Sequence, residues 1–220
     1  MRHPIRTPAP LTAALAAGLL LTGCGGPEPL PGVSQGPRPS AAPATTAPVA
    51  TKAPAVAAAG TTVGGPGTAC VLPVSFALAE RWEPKAVENP ENPEFVELTR
   101  QGPAFIRCEV NADAAGHLGF LRVWTAAGKG PARAALEGFV KGEESDSKAV
   151  YKETVAGTLP VTEVTYTVVS KLTEEPKEQR AFAVATPKGT AIVHLGGFDT
   201  DEHRAMLPAY ELARTTLKVL

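Results

Sequence analysis

Two histidines near the C-terminus, together with the acids beside them, are the side chains of this sequence best suited to chemistry. His194 lies in an apolar run, and His203 follows in a predicted helix that begins with Asp199, Asp201 and Glu202. Two imidazoles and a carboxylate could ligate a metal ion or act as acid and base. The alternative is a strand histidine beside a capped helix, whose acids favour the positive end of the helix dipole. We favour this structural interpretation.

Motifs of the common hydrolases and nucleotide-binding proteins are missing. There is no G-x-S-x-G turn for a serine nucleophile, and Glu202-His203 has no second histidine one turn later, as a zinc hydrolase would need. Gly196-Gly197 precedes a helix but lacks the Lys and Ser or Thr of a phosphate-binding loop. We therefore expect no enzymatic activity, no metal and no cofactor. A hydrolase or metal enzyme that uses His194 and His203 is kept as the less favoured alternative.

Two tryptophans are further candidates for ligand contact. Trp82 and Trp124 are both placed near the ends of predicted strands, and aromatic rings suit sugars and lipids. Core or rim packing is the more frequent role of such residues. Trp82, Trp124, His194 and His203 together form the set of candidate binding residues.

The N-terminus carries a short export signal. Arg2 and Arg6 precede an apolar run from Leu11 to Leu21, which ends in small residues before Cys24. A run of about ten apolar residues is too short to span a bilayer, which needs about twenty. The segment therefore predicts a signal peptide over residues 1–23.

The stretch Leu21-Thr22-Gly23-Cys24 resembles the lipobox of bacterial lipoproteins. The resemblance implies a diacylglyceryl thioether on Cys24, cleavage before this residue, and acylation, for example by palmitate, of the new N-terminus. Two or three acyl chains hold a protein firmly to a membrane, whereas one binds only marginally. We expect lipid anchoring at the extracytoplasmic face of the cell membrane. The alternative is an ordinary thiol near an uncleaved signal.

The remaining two cysteines form an even pair. Of the three cysteines in the chain, Cys24 is the predicted lipid carrier, which leaves Cys70 and Cys108 in an oxidising compartment. We predict a disulfide between them, with two free buried thiols as the alternative. There is no C-x-x-C, so a thioredoxin-type redox site is not indicated.

Composition divides the rest of the chain into a tether and a domain. Residues 24–68 consist almost wholly of Pro, Ala, Gly, Thr, Ser and Val, so they predict a disordered, partly polyproline-II tether. Residues 69–220 are long enough for one domain and carry 17 Lys and Arg against 21 Asp and Glu, a net charge of −4. No basic field is present to attract nucleic acid.

Periodicity predicts a mixed domain of strands and helices. The predicted strands cover 74–78, 95–99, 105–112, 118–125, 150–155, 161–171, 180–186 and 190–195. A helix is predicted to begin at Gly130-Pro131, and a second one with Asp199 as its N-cap, broken by Pro208 so that a new helix begins near Leu207. Short turns between strands favour antiparallel pairing. The fold class is therefore α+β, a central antiparallel sheet of about six to eight strands flanked by helices.

Several local patterns resemble actinobacterial lipoproteins of the LpqN/LpqT type, which are similar in fold to PsbP-like domains. The patterns are Val74-Ser75-Phe76 leading to Arg81-Trp82, Gly157-x-x-Pro160, and Asp201-Glu202-His203 with Pro208 and the run from Leu212 to Leu220. The resemblance implies a non-enzymatic module associated with the cell envelope and assigns no catalytic residue. The pair Cys70 and Cys108 departs from the family pattern.

The expected function is that of a binding or accessory module for the cell envelope, tethered to the membrane through Cys24. Its partner would be an envelope protein or another envelope ligand. The alternative to this module is a carrier that holds an envelope lipid in an apolar pocket.

Overall fold

Alternating apolar residues form most of the strands in this computed structural model, which describes residues 54–88, 90, 92–143, 148–171 and 173–220. In Val74–Ala79, for example, Val74, Phe76 and Leu78 are buried, as the period of two requires. The strands are β1 (Ala59–Val63), β2 (Val74–Ala79), β3 (Glu83–Ala86), β4 (Arg100–Gln101), β5 (Ala104–Asn111), β6 (Gly119–Ala126), β7 (Val150–Ala156), β8 (Leu159–Val169), β9 (Pro176–Thr186), β10 (Gly189–Gly197) and β11 (Lys218–Val219). The helices are α1 (Pro93–Val96), α2 (Ala132–Gly142) and α3 (Thr200–Thr215).

The main sheet has eight strands in the order β3-β5-β6-β10-β9-β8-β7, with β4 also paired to β5. Every neighbouring pair is antiparallel, and β10 lies between β6 and β9. The register sets His194 opposite Arg122 on one side, and Gly196 opposite Gln179 on the other. The predicted α+β class, with an antiparallel sheet flanked by helices, is confirmed.

A second sheet of three strands, in the order β1-β2-β11, lies at the two chain ends of the domain. β1 falls within residues 24–68, so the prediction of a disordered tether is wrong for its last part. Thr61, Thr62 and Val63 favour a strand, and Val63 is fully buried against the core. The signal peptide, Cys24 and the tether up to residue 53 lie outside the described residues.

The predicted strand at 95–99 is also wrong. Asn92 caps a short helix there, because its side-chain Oδ1 accepts a hydrogen bond from the Glu94 N–H at 3.0 Å and Pro93 occupies the first turn. The helix α1 is followed by a 3₁₀ turn over Glu97–Thr99. Phe95 and Leu98 are exposed.

Helix α3 continues through Pro208, where a break was predicted. Met206, Ala209, Tyr210 and Ala213 are buried on either side of the proline, and this packing outweighs the one backbone hydrogen bond that the proline cannot donate. The helix ends at Thr215 instead of reaching the C-terminus. The Thr215 and Thr216 hydroxyls donate to the carbonyls of Glu211 and Leu212, at 2.7 Å each.

The two faces of the main sheet bear separate apolar cores. One core lies under α2 and includes Phe139, Ile192 and Tyr166. The other lies between the sheet, α3 and the three-stranded sheet, and includes Phe76, Val193 and Tyr210. Because side chains alternate along a strand, neighbouring residues of β10 contribute to opposite cores.

A disulfide joins Cys70 to Cys108, as the cysteine count predicts. The two sulfur atoms are 2.01 Å apart and the Cα atoms 5.8 Å apart. Cys70 precedes β2 and Cys108 is buried on β5, so the bond links the segment between β1 and β2 to the main sheet.

Candidate functional site

A cavity of about 580 Å³ opens on the α2 face of the main sheet, near the ends of β6, β9 and β10. This volume lies within the range of small-molecule sites, roughly 300–1,000 Å³. Its lining comes from alternate positions of neighbouring strands, which point to the same face. The lining side chains that bear on its chemistry are Arg122, Glu143, Lys177, Gln179, His194 and Phe198.

The floor of the cavity is a buried polar network centred on His194. The Nε2–H of His194 donates to Gln179 Oε1 at 2.9 Å, and the Tyr166 hydroxyl oxygen lies 3.3 Å from the same nitrogen. Tyr166 in turn donates to Glu143 Oε2 at 2.6 Å. His194, Gln179 and Tyr166 are each at most 4% exposed. A buried network with paired members fixes its side chains rigidly.

His194 is held in its neutral form. Burial lowers the pKa of its imidazole to about 3, and the positive charge of Arg122 acts in the same direction. Protonation would add an N–H at Nδ1, which has no hydrogen-bond partner among the described residues. Burial also raises the pKa of Tyr166, with the Glu143 carboxylate contributing. Both groups therefore present fixed protonation states at neutral pH.

Gly196 leaves space beside the hydrogen bond between Gln179 and His194. It lies opposite Gln179, and a Cβ built on it would be 3.1 Å from Gln179 Oε1 and 3.4 Å from His194 Cε1. A side chain at this position would press on the hydrogen bond between Gln179 and His194. The glycine therefore keeps the floor open and lets a ligand approach the backbone.

The charged groups around the floor each have a polar partner. Arg122 Nε donates to Glu109 Oε2 at 2.7 Å, and the guanidinium lies 4.5 Å from the centre of the Phe120 ring. Lys177 Nζ lies 3.4 Å from the Gly197 carbonyl oxygen. Glu143 accepts the Tyr166 hydrogen bond described above.

The rim of the cavity is apolar. Leu118 is 56% exposed and Phe198 is 43% exposed, and Phe120 also lines the cavity. Phe198 N–H donates to the Leu118 carbonyl at 2.8 Å, which fixes the two rim residues relative to each other. Exposed apolar side chains around a polar floor are typical of a binding site.

His203 does not reach this cavity. It lies on α3, is bonded to the backbone of Leu195, and shares the core of the opposite sheet face with Met206. His194 instead contacts Phe139 of α2, with ring centres 5.5 Å apart. Burial lowers the pKa of His203 to about 4. The two histidines therefore lie on opposite faces, and the shared metal or acid and base site that used both is wrong.

The acids at the start of α3 have structural roles. Asp199 Oδ1 accepts from the Glu202 N–H at 2.8 Å, which confirms the predicted N-cap. Glu202 accepts from the Leu118 N–H at 3.2 Å and lies 3.4 Å from His117 Nδ1. Across the described ranges, no three His, Cys, Asp or Glu side chains are grouped so as to hold a metal ion.

The two tryptophans pack into cores and do not line the cavity. Trp82 is 5% exposed and belongs to the core beneath α3. Trp124 is 7% exposed, belongs to the core beneath α2, and meets Phe139 edge to face with centroids 5.3 Å apart. Of the four candidate binding residues, the structure places only His194 at the cavity.

No sequence motif marks the other residues of the floor. Arg122, Lys177 and Gln179 are separated along the chain and meet only through strand register. The available signal is alternation: Arg122, Gln179 and His194 are polar residues at positions where the strand pattern requires an inward side chain. Knowledge of strand order would be needed to bring the three positions together.

No helix in the part of the chain that the structure describes is long and apolar enough to cross a bilayer.

Comparison with known proteins gives a family match and similarity to solved structures. A family model described as uncharacterised lipoprotein matches residues 40–217. No curated protein matches the chain. Among solved structures, the chain is similar to the solution structure of cyanobacterial PsbP (CyanoP) from Synechocystis sp. PCC 6803. The sequence identity is 14%, the TM-score is 0.46, and the match covers 72% of this chain and 97% of that one.

Proposed function

Since the chain belongs to this family of uncharacterised lipoproteins, we propose that it is a membrane-anchored extracytoplasmic protein whose domain binds an envelope ligand in the His194 cavity. The anchor is the lipid on Cys24, and the membrane is the first partner. We also propose that the chain is of the LpqN/LpqT type of actinobacterial lipoproteins, on the sequence patterns around Trp82, Gly157 and His203.

The observation that carries the proposal is the polar floor beneath an open apolar rim. Buried polar groups such as His194 and Gln179 cost stability unless they are paired, and even a paired buried network adds little net stability compared with apolar packing. A network of this kind at the base of a cavity of about 580 Å³ therefore supports recognition of a ligand.

Binding is favoured over catalysis by the state of His194. A histidine whose pKa is lowered to about 3 is a weak base at neutral pH. Its Nε2–H is directed at Gln179, so it is not offered to a reacting group. We therefore propose that the protein is not an enzyme.

A lipid carrier is the less favoured alternative. An acyl chain binds best against an apolar surface, whereas the floor of the cavity consists of His194, Gln179 and glycine backbone. Apolar contact is offered at the side of the cavity that bears Leu118, Phe120 and Phe198. The geometry therefore supports a ligand whose polar part enters the cavity.

Photocrosslinking in the native envelope tests the proposal. A benzophenone amino acid replaces Leu118 at the rim, and in a control chain it replaces Leu98, which is 78% exposed and does not line the cavity. We expect one dominant adduct at position 118 that is absent at position 98, identified by mass spectrometry. A diffuse set of products at 118, equal to that at 98, would contradict a binding cavity.

A further inference from the structure

We infer that the ligand of the His194 cavity is an uncharged carbohydrate, an inference that rests on the function proposed above. The chemistry that recognises sugars is a set of planar polar side chains with both donors and acceptors, close to an exposed aromatic ring. The cavity offers both features.

The charges of the cavity favour a neutral ligand. Arg122 is paired with Glu109 at 2.7 Å, and the positive charge of Lys177 is matched by Glu143 on the same lining. Asp113, which also lines the cavity, is exposed and adds a negative charge. An anionic headgroup would need a cation in excess, and no such excess stands among the described lining residues.

The floor and walls supply donors and acceptors together. Gln179 and Asn111 bear amides, Glu143 and Asp113 bear carboxylates, and Arg122 bears a planar guanidinium. A sugar hydroxyl both donates and accepts, so it can use an amide and a carboxylate at once. A lipid tail or a simple anion would leave part of this set unpaired.

Phe198 offers the surface for the apolar face of a sugar ring. It is 43% exposed at the rim, whereas the Phe120 ring is covered by the Arg122 guanidinium at 4.5 Å. Stacking of a ring on Phe198 would bring the hydroxyls of that ring over the polar wall.

A second cavity of about 550 Å³ continues the first. The two cavities share Glu143 and Lys177, and the second also includes Gln101, Val168 and Ser170. The second cavity adds two cations, Arg100 and Lys171. Arg100 is paired with Glu97 at 2.9 Å, and across both linings the two lysines equal in number the two acids, Asp113 and Glu143. Gln101 Nε2 lies 3.5 Å from Glu143 Oε2, so polar side chains continue from one cavity into the next. The ligand that fits both is a linear oligosaccharide of more than one ring.

The test is a glycan array probed with the full-length lipoprotein extracted from membranes in detergent. Three forms are compared: the unchanged protein, Phe198→Ala, and Phe95→Ala, in which a somewhat more exposed phenylalanine outside the cavity is removed. Circular dichroism first establishes that the three are equally folded. We expect neutral oligosaccharides to bind the unchanged protein and Phe95→Ala alike, and Phe198→Ala to bind at least ten-fold more weakly.

The outcomes separate this inference from the function on which it rests. If no neutral glycan binds, while crosslinking at Leu118 still captures one envelope molecule, the carbohydrate assignment is wrong and the binding function stands. If glycans bind but Phe198→Ala and Phe95→Ala are equivalent, the sugar does not use this cavity and the inference is also wrong. If no glycan binds and crosslinking at Leu118 captures no dominant molecule, both the carbohydrate inference and the proposed binding function are wrong.

Discussion

At the scale of single residues, the domain buries two neutral histidines in separate surroundings. His194 is bonded to Gln179 beneath α2, with Arg122 and Lys177 as the nearby charges. His203 is bonded to the Leu195 backbone beneath α3. For both, burial is the main cause of a lowered pKa, so folding keeps both imidazoles uncharged.

These two histidines predict a loss of stability in mild acid. Their pKa values are about 3 for His194 and about 4 for His203 in the folded state, against about 6.5 in an unfolded chain. Between these values the unfolded chain binds more protons, so the free energy of unfolding is fully present above about pH 6.5 and falls as the pH falls. Each histidine contributes at most about 1.4 kcal/mol per pH unit, a limit reached where it is protonated in the unfolded chain and neutral in the folded one. Urea denaturation between pH 7 and pH 5 measures the slope.

The variant His203→Gln gives the matched comparison. It removes one of the two titrating groups, so the slope between pH 7 and pH 5 is expected to fall by about half. Glu178, Arg180 and Arg204 face this histidine, and the pKa of Glu178 is lowered by its hydrogen bond from Arg204, so this acid titrates below the chosen window. An unchanged slope would show that His203 does not set the acid sensitivity.

At the scale of elements, alternation and turn residues were enough to predict most strands of the main sheet. Val164, Tyr166 and Val168 alternate as predicted and are buried along β8. The errors have local causes. The stretch 95–99 was assigned to a strand on its apolar residues, but the cap at Asn92 makes it helical. β1 was missed because its short Thr and Val segment follows a long run of low complexity.

The candidate site was predictable only in part. His194 was identified because acids and a second histidine follow it closely in the sequence, but its partners in the cavity come from three other segments of the chain. Register between strands decides which side chains meet, and one sequence does not determine register between strands distant along the chain. Trp82 and Trp124 pack into cores, which is the role that the sequence interpretation favoured over ligand contact. Which core each enters depends on strand pairing.

The N-cap of α3 predicts a measurable stability difference. Asp199→Ala removes the acceptor of the Glu202 N–H, and we expect a loss of about 1 kcal/mol in the free energy of unfolding. The control is Asp201→Ala, because this side chain is 96% exposed and caps nothing. Chemical denaturation at neutral pH measures both. Equal losses would indicate a general effect of charge at this helix end.

The disulfide is expected to stabilise the domain through the unfolded state. The bond between Cys70 and Cys108 closes a loop with a sequence separation of 38 residues. In the chain-entropy model this contributes roughly 4 kcal/mol. We expect the double variant Cys70→Ser, Cys108→Ser to lower the free energy of unfolding by about this amount. The unchanged protein under reducing conditions should have the same free energy of unfolding as the variant. A free energy of unfolding that does not change on addition of reductant would contradict the model.

At the scale of the whole molecule, the proposed function combines an anchor, a tether and a cavity. The predicted tether separates Cys24 from the folded domain, so the cavity could meet ligands away from the membrane surface. A net charge of −1 for the whole chain gives no general attraction to anionic surfaces. In this proposal the lipid alone sets the location, and the cavity sets the ligand.

The anchor predicts a clear result in cell fractionation. Cys24→Ala removes the thiol that would carry the lipid, so we expect either release of the protein from membranes or accumulation of an uncleaved precursor. Immunoblots of the membrane and soluble fractions distinguish these forms by size. Cys70→Ser serves as the control because it alters a different cysteine. Membrane retention of a cleaved Cys24→Ala protein would overturn the lipid anchor.

The disulfide also has a mechanical consequence. Any pull on the N-terminal segment enters the domain at β1, whose hydrogen bonds to β2 can open one after another. The released chain would lengthen only as far as Cys70, where the covalent bond to Cys108 passes the load to β5. Strand β1 can therefore detach under force, whereas the disulfide between Cys70 and Cys108 limits how far the chain extends. Force on the tether would open β1 before it acts on the main sheet, which it would reach at Cys108 of β5.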